Sequence, residues 1–237
     1  MATRLEFGGI AVEVVQKDIK NVHLSVHPPH GRVTISAPRR MSLDTIRVFA
    51  VSRLGWIRQQ QAKLRGQDRE PPRVLLDRES HYVWGKRYLL KLVEADAPPS
   101  IELTPRMLVM HVRPGTDAAK RRVLLEDWYR EQVKAAVPPL VTKWEPVLGV
   151  AVRRFFVQRM KTKWGSCSPA REAIRLNTEL ARKAPDCLEY IVVHEMAHLL
   201  VRRHDAQFGA LLDQCLPHWR HIREDLNAGP LSHTNWP

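Results

Sequence analysis

Residues 192 to 204 read VVHEMAHLLVRRH, which places His194, Glu195, His198 and His204 within thirteen positions. Pro185 suits the first turn of a helix, and Leu188, Ile191, Val192 and Leu199 give that helix an apolar side. On it His194 and His198 are i and i+4, so their imidazoles stand about 40° apart on one face, one turn above the other. That spacing lets a single metal ion take both ring nitrogens, at about 2.0–2.1 Å for zinc. Glu195 lies beside the first imidazole without needing to bind the ion, and a carboxylate there can accept a proton from water. In shuffled chains of this composition H-E-x-x-H arises in roughly 3% of cases, and in roughly 0.1% with a further histidine at one fixed offset. The spacing therefore points to a metal site, and H-E-x-x-H is the arrangement of zinc peptidases.

The third ligand has to come from elsewhere. In an unbroken helix His204 would lie about 120° around from His198 and roughly 9 Å further along. It can reach the same metal only if the chain leaves the helix between Val201 and Arg203. Asp205 is a good N-cap, and Phe208, Leu211, Leu212 and Cys215 have helical spacing. One helix is thus predicted to end near Val201 and another to begin after Asp205, with His204 at the joint. Glu224, Asp225, His218 and His221 are its rivals further along. Three neutral imidazoles leave a fourth position for water, the arrangement of a catalytic zinc site with Glu195 as general base. The sequence assigns no substrate-binding residue; Tyr190, one turn before His194, reads as a packing residue.

The elements that position these groups divide the chain near residue 115. Residues 4–36 read as short strands, with PPHG (28–31) as a turn. Ser42 caps a helix to about Arg65, and segments 80–95 and 101–114 form a further pair of strands. Residues 1–115 are therefore a β-rich N-terminal module with one helix, and 116–237 a helical, metal-binding part. In the second part Thr116 caps a helix that Pro138 and Pro139 must kink or end, and a shorter helix closes at Gly149. Residues 151–164 suit a strand, 165–172 a turn and 173–177 a returning strand. No internal repeat is evident.

Composition sets the outer limits. With 44% hydrophobic and 27% charged residues the chain of 237 residues is globular. It has no apolar stretch of membrane-spanning length and no signal-peptide core, and Cys167, Cys187 and Cys215 lack ligand pairs or a disulfide pattern. These features predict a cytoplasmic protein with no membrane partner and no disulfide. The net charge of +13 favours acidic partners, with non-specific nucleic-acid contact first among them. Arg159, Lys161 and Lys163, beside Phe155 and Phe156, are the candidate stripe; the favoured reading puts the phenylalanines in the core and the cations on a solvated edge.

RMKTKWGSCS (159–168), IRLNTEL (174–180), VVHEMAHLL (192–200) and HDAQF (204–208) together resemble the YgjP-like metallopeptidase domain, a family related to the SprT-like and WLM peptidases. The likeness is strongest from Arg159 to about Trp219. It implies an α+β, zincin-like fold with an H-E-x-x-H active-site helix, zinc on His194, His198 and His204, and Glu195 as the base. It also implies a peptide or protein substrate, paired along the strand that carries residues 159–164. Val201 stands where metzincins carry glycine, so a left-handed turn is expected at Arg202 or Arg203 instead. Without a Cys-x-x-Cys pair there is no zinc-ribbon appendage of the kind many SprT-like proteins carry. The alternatives are a basic nucleic-acid-associated protein with a structural zinc, and a DNA-associated protease of SprT-like kind.

Overall fold

The strand-forming stretches read before residue 115 all become sheet, as eight strands among the described residues. The computed structural model describes residues 2–27, 31–66, 75–160 and 163–228. The chain divides into two compact units, one within residues 1–72 and one spanning 73–228. The first contains β1 (Ala2–Phe7), β2 (Ile10–Lys17), β3 (His23–His27), β4 (Arg32–Pro38), α1 (Leu43–Ser52) and α2 (Leu54–Gly66). Alternate residues Ile10, Val12 and Val14 of β2 and Val33, Ile35 and Ala37 of β4 share a core with Ile46, Ala50 and Ile57. Ser42 caps α1 as expected, its Oγ accepting from the Thr45 amide at 3.2 Å. The helix to Arg65 is two helices, because the Arg53 amide turns back onto the Ala50 and Val51 carbonyls.

The second unit opens with β5 (Ser80–Val83), β6 (Lys86–Glu94), β7 (Ser100–Leu103) and β8 (Met107–Val112). The two strands expected here are four. Trp84 (φ 48°) and Gly85 (φ 76°) make a two-residue hairpin turn inside the first, the geometry of a type I′ turn, and residues 104–106 divide the second. The boundary expected near residue 115 falls inside this unit. Val83, Leu90, Leu108, Met110 and Val112 share one core with Leu125, Tyr129 and the site-bearing elements, so no break in packing occurs there.

The two four-stranded sheets have one topology. Their orders are β1-β2-β4-β3 and β5-β6-β8-β7, with the inner pair parallel and both outer pairs antiparallel. In each, two positive-φ residues (Gly8 and Gly9, Trp84 and Gly85) close the first hairpin, and a side-chain-capped helix follows the last strand. This internal repeat was not evident in the sequence, because a strand pattern is met by many apolar residues and only the turn glycine is common to both hairpins.

Helix α3 (Ala118–Leu148) runs 31 residues through Pro138, Pro139 and Pro146 and ends at Gly149 in the left-handed conformation. Its cap is Asp117, whose Oδ1 accepts from the Lys120 amide at 2.8 Å, while the Thr116 hydroxyl donates to the Arg113 carbonyl. Of the two expected effects, a kink or an end, the helix does not end at the prolines. A proline inside a helix costs about 3 kcal/mol. On either side of the pair Val133, Val137, Trp144 and Leu148 are buried on one stripe, at about 1.5–3 kcal/mol for each large side chain, which offsets a cost of that order.

A three-stranded sheet carries the rest: β9 (Arg154–Gln158), β10 (Gly165–Ser168) and β11 (Ala173–Asn177), in the order β10-β11-β9. β11 runs antiparallel to β10 and parallel to β9. GSCS is thus an edge strand rather than part of a turn; the turn is the single 3₁₀ turn Pro169–Arg171, closed by Glu172 at φ 46°. Helices α4 (Pro185–Ala197), α5 (Ala206–Cys215) and α6 (Trp219–Ala228) complete the unit, with α4 packed on α3, α5, α6, β10 and β11. No described helix is long and apolar enough to cross a membrane.

Candidate metal centre

Nine of the thirteen residues of α4 are buried, so the helix is covered nearly all round, beyond the single apolar side its sequence suggested. Pro185 begins it as predicted. The helix ends earlier than Val201: His198 is its C-cap residue, and the Leu199, Leu200 and Val201 amides close tight turns onto Met196 and Ala197 carbonyls. No residue from 199 to 204 takes a positive φ, so the turn needs neither the metzincin glycine nor the left-handed arginine expected in its place. Asp205 then caps α5 as anticipated, its Oδ1 accepting from the Phe208 amide at 3.1 Å.

This joint turns His204 back over α4. Its Nε2 lies 2.9 Å from Nε2 of His194 and 3.0 Å from Nε2 of His198. These three are the one group among the described residues whose ligand atoms converge within 4.8 Å for a metal. His218, His221, Glu224 and Asp225 are not in that group. Phe208 forms the floor, with its ring centroid 4.9, 4.6 and 4.8 Å from those of His194, His198 and His204.

The donor set fits a cation. His198 Nδ1 lies 3.0 Å from the Val201 carbonyl oxygen, which can only accept, so the proton is on Nδ1 and Nε2 is a bare acceptor. One proton on His204 Nε2 could serve only one of its two contacts, leaving lone pair against lone pair at the other. A cation among the three resolves this. Tetrahedral ligands at zinc distances stand about 3.3 Å apart, close to the separations seen. Burial, then the His198 and His204 imidazoles and the Arg223 guanidinium, hold His194 down at about 3, so it presents a neutral ring.

Glu195 is 5% exposed and faces β10. A Cβ built on Gly165 would meet its Oε1 at 2.6 Å and its Cδ at 2.9 Å, so only glycine lets the strand lie against this carboxyl group. Burial lifts Glu195 to about 7, against the opposing pull of the Lys163 ammonium. Cys167, on the same strand, is raised to about 11 by burial and by Glu195 and stays a thiol; the three cysteines are unpaired with one another. Tyr190 packs, as expected, stacked on Trp219 with centroids 6.1 Å apart.

Sequence reasoning gave Gly165, Phe208 and Asn177 no part in the site. The Asn177 amide nitrogen donates to the carbonyls of Met160 (2.9 Å) and Lys163 (2.8 Å), and its Oδ1 accepts from the amides of Met160 and Glu179. It ties the approach to β10 onto the end of β11. The signal available was the strand-to-turn asparagine in IRLNTEL. The basic stripe is not formed as drawn: β9 ends at Gln158, Arg159 pairs with Glu126 at 3.0 Å, and Phe155 packs against the core. Lys161 lies outside the described residues.

A mixed α+β unit thus gathers three imidazoles that could hold a metal beside a buried carboxyl group, and the family of the chain is one of metallopeptidases. The chain belongs to the YgjP-like metallopeptidase domain family, whose model matches residues 20–229 and so covers most of both units. Among solved structures it is similar to the metallopeptidase zymogen of Pyrococcus abyssi abylysin, at 19% identity over 40% of this chain and 99% of that one, with a TM-score of 0.36. The metallopeptidase zymogen of Methanocaldococcus jannaschii jannalysin matches at 21% identity over 37% of this chain and 90% of that one, with a TM-score of 0.33. No curated protein matches the chain significantly.

Proposed function

We propose that the chain is a zinc-dependent peptidase of zincin-like architecture, with α4 as its active-site helix, His194, His198 and His204 as zinc ligands and Glu195 as general base. The observation that carries this reading is the convergence of three imidazole Nε2 atoms beside a buried carboxyl group that backs onto an edge strand. When bound, zinc supplies a Lewis acid that acidifies water and polarises a peptide carbonyl. Glu195 takes a proton at its carboxylate from the attacking water and returns it to the nitrogen of the leaving amine. Phe208 and the Val201 carbonyl hold the imidazoles in place, so that His198 keeps the tautomer that offers Nε2. β10 is an edge strand of its sheet among the described residues, and an extended peptide can add to it there, next to Glu195. The strand expected to do this lay at 159–164; the edge beside the carboxyl group is 165–168. Three separate thiols support a reducing, cytoplasmic setting.

The test is a pair of variants. Glu195→Gln keeps the side chain's shape but cannot take a proton at neutral pH. It should retain zinc and fold while hydrolysis of unfolded protein falls by about 10²-fold or more. His204→Ala should lose zinc affinity and activity together. If Glu195→Gln sheds zinc as readily as His204→Ala, the carboxylate is a ligand or a prop and the proposed chemistry fails.

A DNA-associated protease is the second reading, favoured by the charge. Arg39, Arg40, Arg47, Arg53 and Arg58 are all exposed in the first unit, against Asp44 alone among acids from 39 to 58. Duplex DNA should then bind with an affinity that falls steeply with salt, and DNA should stimulate proteolysis.

A further inference from the structure

Two imidazoles of the metal centre stand on α4, and they are oriented by different means. His198 is fixed by the contact of its Nδ1 with the Val201 carbonyl oxygen at 3.0 Å. His194 has no such tie: its Nδ1 is buried and has no hydrogen-bond partner among the described residues. The torsion that turns an imidazole about its Cβ–Cγ bond is broad, so without a hydrogen bond the ring is held by what packs against it. Two aromatic rings meet His194 edge-on. Phe208 lies with its centroid 4.9 Å away, and Tyr190 with its centroid 5.7 Å away.

Tyr190 is 3% exposed and one turn before His194 on α4. Its backing comes from α6. Trp219 lies parallel to the Tyr190 ring, with planes 13° apart and centroids 6.1 Å apart. The indole is itself fastened. Its Nε1 donates to Oδ1 of Asp213 at 2.8 Å, and the Arg220 guanidinium lies over the ring, 4.7 Å from a ring centroid. Arg220 also donates to both oxygens of Asp213, reaching Oδ2 at 3.0 Å. One carboxylate therefore holds the indole twice, by its N–H and through the cation on its face. Asp213 stands on α5, which also carries Phe208, so this helix supplies one ring against His194 and anchors the support of the other.

We propose that Trp219 is a positioning residue: locked by Asp213 and Arg220, it holds Tyr190 against His194 and so keeps that imidazole turned toward the metal. The inference rests on the metal-centre reading above. Its test compares Trp219→Leu, Trp219→Phe and Asp213→Ala with the wild type. Zinc affinity is measured by competition with a chromophoric chelator. The visible spectrum of the cobalt(II)-loaded protein reports the geometry of the ligands. The thermal midpoint of the metal-free protein, taken beside them, records whatever packing is lost.

Trp219→Leu keeps an apolar side chain but no flat ring. Its zinc affinity should fall by about 10- to 100-fold, as when a partner behind a metal ligand is removed, and its cobalt spectrum should change. Trp219→Phe retains a ring that can stack and should keep most of the affinity. The Asp213 side chain is 43% exposed, so Asp213→Ala leaves the core alone. It frees the indole and should weaken zinc binding in the same direction, by less. A lower metal-free midpoint with wild-type zinc affinity and an unchanged cobalt spectrum in Trp219→Leu would mean that Trp219 only packs, and overturns the proposal. Should Trp219→Leu fail to fold, Asp213→Ala decides, and wild-type affinity and spectrum there overturn it equally. His194→Ala separates the two readings. If it binds zinc as tightly as the wild type, the metal-centre reading fails and this inference with it. If it loses zinc while Trp219→Leu keeps it, this inference alone fails.

Discussion

Gly165 illustrates how a small residue can set the geometry of a reactive one. In the sequence it is one letter of KWGSC; in the structure it is the space that Glu195 occupies. Gly165→Ala brings a Cβ to within 2.6–2.9 Å of the carboxyl group, so either the strand or Glu195 must move. Overpacking of this kind costs about 1–3 kcal/mol. Zinc content should stay at one per chain, since the imidazoles are untouched, while hydrolysis falls and the thermal midpoint drops. Metal analysis beside an activity assay tests this, and full activity in Gly165→Ala would show that Glu195 need not hold its observed place. His194 and His198 behave differently: replacing either with alanine removes a ligand atom, and purified variants should lose their zinc.

At the scale of elements, α4 supplies two imidazoles and the carboxyl group, while the turn after it supplies the third imidazole. The helical spacing of the first two was legible because i, i+4 geometry is local. The place of His204 was legible less directly, through the Asp205 cap that starts α5. The strand β10 was misread as a turn because GSCS has no apolar alternation; it is sheet because β11 pairs with it, Gly165 opposite Leu176 and Cys167 opposite Ile174. Asn177 fastens this sheet to the segment before β10. Asn177→Ala leaves the part-buried Met160 and Lys163 carbonyls without their donor, at about 0.5–1.5 kcal/mol for each hydrogen bond lost. The expected result is a lower denaturant midpoint with zinc retained, and activity reduced through displacement of the strand that faces Glu195. An unchanged midpoint would mean that water replaces the amide fully.

For the whole molecule, the residues of the metal centre and the core beneath it belong to the second unit, and the first unit has a core of its own. Calorimetry of the zinc-loaded chain should therefore show two unfolding transitions. Chelation should lower one of them, since a ligand stabilises only the unit that binds it, by about 4 kcal/mol at a thousand times its Kd. A single transition that shifts as a whole would show that the two units unfold together. The family match runs across both units, so the β-rich half is part of the family's domain and not an appendage to it.

The sequence alone determined what short-range geometry and side-chain chemistry decide. His194 and His198 share a helix face because 3.6 residues make a turn. Ser42 and Asp205 cap helices because their oxygens meet amides two or three residues on, and Gly149 ends α3 because it tolerates a left-handed backbone. The tertiary structure decided what depends on partners distant in the chain. The prolines of α3 lie within one helix because residues on both sides of them pack on a common core. β5–β8 share one core with α3 because their apolar faces pack against residues far along the chain. The repeated sheet topology emerged only when parallel pairing joined β2 to β4 and β6 to β8, across intervening strands that no local pattern links. Phe208 beneath three imidazoles and Gly165 beneath Glu195 are likewise contacts between elements, set by how helices and strand close on one another.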